Sequence, residues 1–172
     1  MQYLWYKLNG MKKPMAISML RLRHQVFAVE GGRRDLGNDV IDIRSDHLCV
    51  VEEQQVIGCL RLYPLLEDPD CNRFTIGRFC VAEEFRKKEI GRKMLSMALI
   101  KGVMRKGLNS EFEIEAQLYL AGLYQSLGFQ PSGDIYEEEN IPFVKMCLTN
   151  PIAQDLFAQN KGAVSGPDSY QA

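Results

Sequence analysis

The order of elements legible along the chain predicts an α/β (α+β) domain in which one sheet carries helices on its faces. Two observations lead there. Runs rich in β-branched and aromatic residues alternate with segments of helical apolar spacing, in the order strand, helix, three strands, helix, strand, helix, two strands. The length of 172 residues, with 46% hydrophobic and 25% charged side chains, suits a single sizeable core. The expected organisation is therefore one domain over residues 1–149, a short helix packed on it at 150–159, and a disordered tail at 160–172.

Element by element, QYLWYKL opens as a strand, and Pro14 to Ala28 carries Ile17, Met19, Leu20, Val26 and Phe27 at helical spacing. HLCVVEE and VIGCLRLYP are two strand-like runs parted by Gln54 and Gln55, which predicts a hairpin. Pro64 and EDPDCN mark a loop, and Phe74 to Val81 returns to strand. After EEFRKKEIGRK, the residues Ile90, Met94, Met97 and Ala98, widened by Leu95 and Leu99, form the stripe of an amphipathic helix. Glu111 to Ala116 reads as a strand. Leu120, Leu123, Tyr124 and Leu127 follow at helical spacing, with Gly128 suited to a helix C-cap. Strands near Ile135 to Glu137 and Pro142 to Leu148 complete the domain, and Asn150 with Pro151 fits a helix start. The tail from Asn160 is small, polar and Gly/Pro-containing.

Composition removes several function classes. Twenty-one Lys and Arg against 22 Asp and Glu give a net charge of -1, so no global positive field recruits nucleic acid. The longest nearly apolar stretch, MLSMALI, falls far short of the roughly 20 residues of a membrane helix. The opening segment lacks a secretory pattern, and a cytoplasmic protein is expected. Five cysteines without a CxxC pair read as reduced, buried thiols, and His24 and His47 have no partners at metal-ligand spacing, so no metal is expected.

The chemistry-bearing segment is RFCVAEEFRKKEIGRKML. Where a strand delivers the chain to a helix start, free backbone amides and the positive end of the helix dipole make a site for a pyrophosphate. Arg86, Lys87, Lys88, Arg92 and Lys93 add five cations within eight residues, and Gly91 permits close approach to the backbone. A solvated basic face on an amphipathic helix is the alternative.

These residues resemble motif A of the GNAT acyltransferases, in which an Arg or Gln, a short glycine-rich turn and a helix start hold the coenzyme A pyrophosphate. Arg86 and Gly91 match the first and last positions of that pattern. Glu89 stands where the family usually has a glycine, and its carboxylate is repulsive to a pyrophosphate unless it turns to solvent. The segments RHQVFAVE, IGRFCV, LYQSLGF and YEEENIPF are similar to the ElaA-type branch and follow the family order. The resemblance implies a central, mixed, mostly antiparallel twisted sheet of six to seven strands and transfer of acetyl from acetyl-CoA. It also implies coenzyme-binding positions Phe79, Cys80, Val81, Arg86, Lys87, Lys88, Glu89, Ile90, Gly91 and Arg92.

It implies, further, direct attack by an amine in a ternary complex, with the thioester carbonyl held by backbone amide around Phe79 to Val81. Cys80 then reads as a core thiol, not a nucleophile. Tyr124 matches the family's general acid or hydrogen-bond donor to the coenzyme sulfur. Proton donation from a phenol of pKa about 10 to a thiolate near 8.5 is uphill by about 2 kcal/mol. Gly122 hints at a close neighbour or a tolerated surface glycine. An amine of pKa about 10.4 is almost wholly protonated at neutral pH, so a base or a water chain must take its proton. Glu30, His47, Glu115 and Glu138 are the candidates, with Glu115 carried as the candidate base and Glu30, Arg78 and Glu138 as acceptor-binding residues. Five acids against three arginines from Glu30 to Asp46, with Glu137 to Glu139, point to a cationic amine, as a small molecule or a peptide.

Two other readings stand beside this one. Arg23 with Phe27, Asp39 with Asp42, Arg61 and Arg78 are similar to the acyl-homoserine-lactone synthase pattern, although a tryptophan after Phe27 is missing and Thr75 replaces a glutamate. A non-catalytic acyl-CoA-binding module is the other. A homodimer is expected to use Met11, Met15 and the C-terminal helix.

Overall fold

The structure, a computed structural model, describes residues 1–33, 39–65 and 71–149. The helix expected at 150–159 and the tail after it lie outside the described residues. Seven strands form one mixed sheet flanked by helices, in the order β1-β2-β3-β4-β5-β7-β6. They are β1 (Gln2–Lys7), β2 (Asp46–Glu52), β3 (Gln55–Pro64), β4 (Arg73–Val81), β5 (Glu111–Gln117), β6 (Gln130–Glu138) and β7 (Ile141–Thr149). The helices are α1 (Lys13–Arg23), α2 (Ile41–Arg44), α3 (Ile90–Lys106) and α4 (Ala121–Gln125). All the strands expected from the sequence are present.

The described residues divide into two compact units. The first contains Met1–Tyr63 and Arg78–Leu95, the second Pro64–Gly77 and residues 96–149. In the first, β1 pairs antiparallel with β2 and β2 with β3. The β2–β3 hairpin turns at Glu53 and Gln54, one residue earlier than expected. Both take positive φ (49° and 64°), the conformation that matches a two-residue turn to strand twist. α1 starts with Pro14 in its first turn and runs directly into a π-helix, His24–Glu30. Met11, expected at a dimer contact, instead is buried with Met19, Leu22, Cys49, Val51, Val56, Cys59 and Cys80. A thioether with three rotatable bonds fills this irregular space better than it tolerates water.

In the second unit, β4 pairs parallel with β5 over Arg73 to Thr75, and β5 and β6 each pair antiparallel with β7. Phe74 and Phe112 stack with centroids 5.6 Å apart. Gly102 of α3 lies on this pair: a Cβ there would fall 2.4 Å from the Phe112 ring. The helix therefore carries glycine in its interior, at an intrinsic cost of about 1 kcal/mol, because no larger residue fits. β6 begins five residues earlier than expected, its register with β7 shifting between Pro131 and Ile135, and all nine of its residues are exposed.

Candidate active site

The first unit places the whole donor segment. β4 ends at Val81, a short 3-10 turn spans Glu83–Phe85, and α3 starts at Ile90. Between them Lys87 and Glu89 both adopt left-handed backbone, with φ of 60° and 59°. Non-glycine residues rarely do so, at a cost of about 1–2 kcal/mol each. Such turns make anion-binding concavities from successive backbone amides, here at the N-terminus of a 17-residue helix. Position 89 thus keeps the backbone of a glycine while carrying a glutamate. Its side chain is 80% exposed and accepts a hydrogen bond from Arg92 Nε at 3.0 Å, so the carboxylate is turned to solvent and neutralised.

Three of the other cations, Arg86, Lys88 and Lys93, have defined contacts. Arg86 donates from Nε to the Val81 carbonyl at 2.9 Å and pairs through a terminal nitrogen with Glu30 at 2.5 Å. Lys88 lies over the Phe85 ring and Lys93 over the Tyr3 ring, at 4.9 and 4.4 Å from the centroids. Gly91 is required by a side chain whatever binds nearby: a Cβ there would meet the Phe79 ring at 2.9 Å. Cys80 is buried, its sulfur 3.4 Å from that of Cys59. The hydrogen bond to Cys59 and burial push the Cys80 thiol well up, which leaves it protonated and suits a core thiol.

The same unit holds a network, buried at Arg23, Asp42, His47 and Arg61, whose parts come from distant stretches of the chain. Arg23, fully buried, donates to Asp42 Oδ1 at 2.8 Å and to His47 Nδ1 at 3.1 Å. Arg61 reaches Asp39 with both terminal nitrogens, at 2.6 and 2.9 Å, and Asp42 at 3.2 Å. Arg78, kinked into left-handed backbone (φ 50°) within β4, donates to Asp39 Oδ2 at 3.0 Å. Burial pushes the Asp39 carboxyl up, but hydrogen bonds and charge from Arg61, with Arg78 behind, outweigh it and bring the group down to about 2. Asp42 is likewise lowered, burial being outweighed by Arg23. Burial holds His47 below its usual range, with Arg23 and Arg61 adding to the effect. It is neutral, with Nε2 donating to the Asp42 carbonyl at 2.9 Å.

This changes the electrostatics expected of residues 30–46. Asp39 and Asp42 face arginines, buried Asp46 faces Lys7 at 3.4 Å, and Glu30 faces Arg86. Four of the five acids are already matched by cations of the same unit. Asp35, the fifth, lies outside the described residues.

The second unit holds the remaining candidates. Tyr124 of α4 is 4% exposed and packs edge-on against Phe129, with centroids 6.0 Å apart. Burial, with Tyr119 contributing, pushes its phenol far above the ordinary tyrosine value. Glu115 is exposed on β5 opposite Lys145 of β7, and Glu138 is exposed at the end of β6. Open space surrounds the Cβ direction of Gly122, as a surface glycine requires.

The sheet order and the cationic strand–turn–helix define an α/β acyltransferase. Residues 33–150 match the family described as Acetyltransferase (GNAT) domain, and the chain belongs to that family, in its ElaA-like branch. A UPF0039 protein, sll0451 of Synechocystis, is 31% identical over 86% of this chain and 94% of that relative. ElaA of Escherichia coli is 29% identical over 75% of this chain and 84% of its own length. The crystal structure of Escherichia coli ElaA superposes with a TM-score of 0.77 at 24% identity, covering 85% of this chain and 97% of that one. A CoA-dependent acyl-homoserine lactone synthase, BjaI, solved with SAM and isopentyl-CoA, has the same fold. It gives a TM-score of 0.76 at 17% identity over 97% of this chain and 93% of that one. The GNAT family uses acetyl-CoA as acyl donor, and among the described residues no helix is long and apolar enough to cross a membrane.

Proposed function

We propose that the protein transfers an acetyl group from acetyl-CoA to a primary amine by direct attack in a ternary complex. The observation that carries this is the turn from Arg86 to Gly91. Its backbone has the left-handed steps of an anion nest, and the one carboxylate in it is turned away onto Arg92. Arg86, Lys87, Lys88 and Arg92, with the amides of Glu89, Ile90 and Gly91, hold the donor's pyrophosphate, while backbone amide from Phe79 to Val81 polarises the thioester carbonyl.

Tyr124 acts as a neutral hydrogen-bond donor to the departing sulfur. A phenol raised by burial holds its proton too firmly to surrender it to a thiolate, but donates a hydrogen bond without charge cost. Glu115 and Glu138 are the exposed carboxylates offered to the amine's proton and charge, and the acidic run Glu137 to Glu139 favours a cationic acceptor. Cytoplasmic residence and a homodimer complete this reading.

Thermal unfolding with acetyl-CoA tests the donor: ligand at 100 times its Kd adds about 2.7 kcal/mol of stability, and an unmoved midpoint at millimolar acetyl-CoA refutes the assignment. Thiol release with a panel of amines then tests transfer. Tyr124→Phe is expected to lower turnover about tenfold with little change in acetyl-CoA affinity, and unchanged turnover removes Tyr124 from the chemistry.

A second reading has its own observation. Arg23, Asp39, Asp42, Arg61 and Arg78, the residues similar to the lactone-synthase pattern, are joined in one network. The position where that pattern has a glutamate is Thr75, whose buried hydroxyl has no hydrogen-bond partner among the described residues. Transfer from a longer acyl-CoA or an acyl carrier protein, with none from acetyl-CoA, would favour this reading over the first.

A further inference from the structure

Arg86 is the residue of the turn best suited to grip a diphosphate, since its planar fork matches two oxygens at once. In the structure that fork is already engaged. Its Nε is spent on the Val81 carbonyl, which aims the guanidinium, and a terminal nitrogen meets Glu30 Oε2 at 2.5 Å. Glu30 is the last residue of the π-helix and is held there by a tight exit. The Gly31 amide donates to the Val26 carbonyl at 3.1 Å, and a Cβ at Gly31 would fall 2.7 Å from the Phe27 carbonyl oxygen. Two anions, the carboxylate and a diphosphate, therefore compete for one guanidinium.

Resting on the coenzyme-turn reading above, we infer that Glu30 is a positioning residue. It holds Arg86 in place while the donor is absent and is displaced by the donor's diphosphate. The exchange is made cheap by exposure. Arg86 is 40% and Glu30 26% accessible, so water can solvate both groups during the swap, and a pair of this kind is weak. Glu30 thus lowers coenzyme affinity in return for a pre-aimed Arg86, and its carboxylate is set free only in the donor-bound protein.

The test is calorimetric titration of the full chain with acetyl-CoA and with S-acetylpantetheine, which carries the same thioester but no diphosphate. Glu30→Gln is expected to tighten acetyl-CoA about two- to fivefold, the range that an exposed ion pair corresponds to. It is expected to leave S-acetylpantetheine unchanged, and to have no effect on acetyl-CoA in an Arg86→Gln background. Unchanged or weaker acetyl-CoA binding by Glu30→Gln, beside clear weakening by Arg86→Gln, overturns the inference and leaves the coenzyme turn intact. An Arg86→Gln variant that binds acetyl-CoA normally overturns both. Equal effects of Glu30→Gln on the two thioesters would mean a general disturbance of the fold and would also overturn it. Both side chains lie at the surface, so unfolding midpoints close to that of the unaltered protein are expected for each variant.

Discussion

The first unit uses arginine–carboxylate pairs in two opposite settings. Arg23, Asp42 and Arg61 form theirs in the interior, with side-chain exposures of 0%, 5% and 6%, while Glu89 and Arg92 form theirs at the surface with 80% and 37%. Distances are alike, 2.8 Å for Arg23–Asp42 and 3.0 Å for Arg92–Glu89, yet the consequences differ. In the interior, removing one partner strands a charge that water cannot reach, so the pairs are fixed once folded. At the surface, water takes over either partner, so the pairs can be exchanged for a ligand. One protein can thus build a rigid support and a responsive turn from the same two kinds of side chain.

The strongest way to break this comparison is Asp42→Ala. Losing this carboxylate removes the charge that faces buried Arg23 and one of the two carboxylates that meet Arg61, and is expected to cost about 3–5 kcal/mol in urea unfolding. A loss below about 1 kcal/mol would mean that water already enters the network. Next in size, Arg86→Gln removes a charge-assisted contact worth about 1.5–3 kcal/mol, so acetyl-CoA binding should weaken about ten- to a hundredfold in a titration. Stability should barely change.

The pH dependence sharpens the same contrast. Asp39 is lowered to about 2 in the folded protein, from an unfolded value of about 3.9. Its contribution to stability is full above pH 4 and is lost as pH falls toward 2. Asp42, lowered too, adds to the loss in that range. His47, held neutral, acts earlier: the unfolded chain takes up its proton below about pH 6.5 and the folded one resists. Unfolding followed from pH 7 to pH 2 should show stability falling in both windows, and Asp39→Asn should remove part of the lower one. A flat profile between pH 4 and 2 would contradict the assignment.

The smallest expected effect lies at the turn. Glu89→Gly relieves left-handed backbone and should stabilise by about 1 kcal/mol, whereas Glu89→Ala, with the same φ to adopt, should not. Equal behaviour of the two variants would show that φ at position 89 is not the source of strain.

What the sequence made legible follows from where each contact lies along it. The donor turn is contiguous, so its strand, cations and helix stripe could be read in one pass, and the glutamate at position 89 could be flagged before its direction was known. The arginine–carboxylate pairs of the interior network join positions separated by 19 to 39 residues. Its members could be noted one by one, and their partnership could not. For the same reason the acids from Glu30 to Asp46 read as an attractive loop, although most of them are matched by arginines or Lys7 from other elements. Met11 read as available for a partner because its neighbours in sequence are polar, whereas its neighbours in space are Met19 and Leu22. Hairpin turns at Glu53–Gln54 and Glu139–Asn140 lack glycine altogether, and their positive φ values are imposed by the strands they join.

Gly102 has a bearing on how such chains diverge. With the Phe112 ring 2.4 Å and the Phe74 ring 3.2 Å from the site of its absent methyl group, position 102 is not free to vary alone. Any descendant that gains a side chain there must shrink one of those rings in the same lineage, and glycine with two phenylalanines should be inherited as a set. Helix and strand are thereby linked in evolutionary history as well as in space.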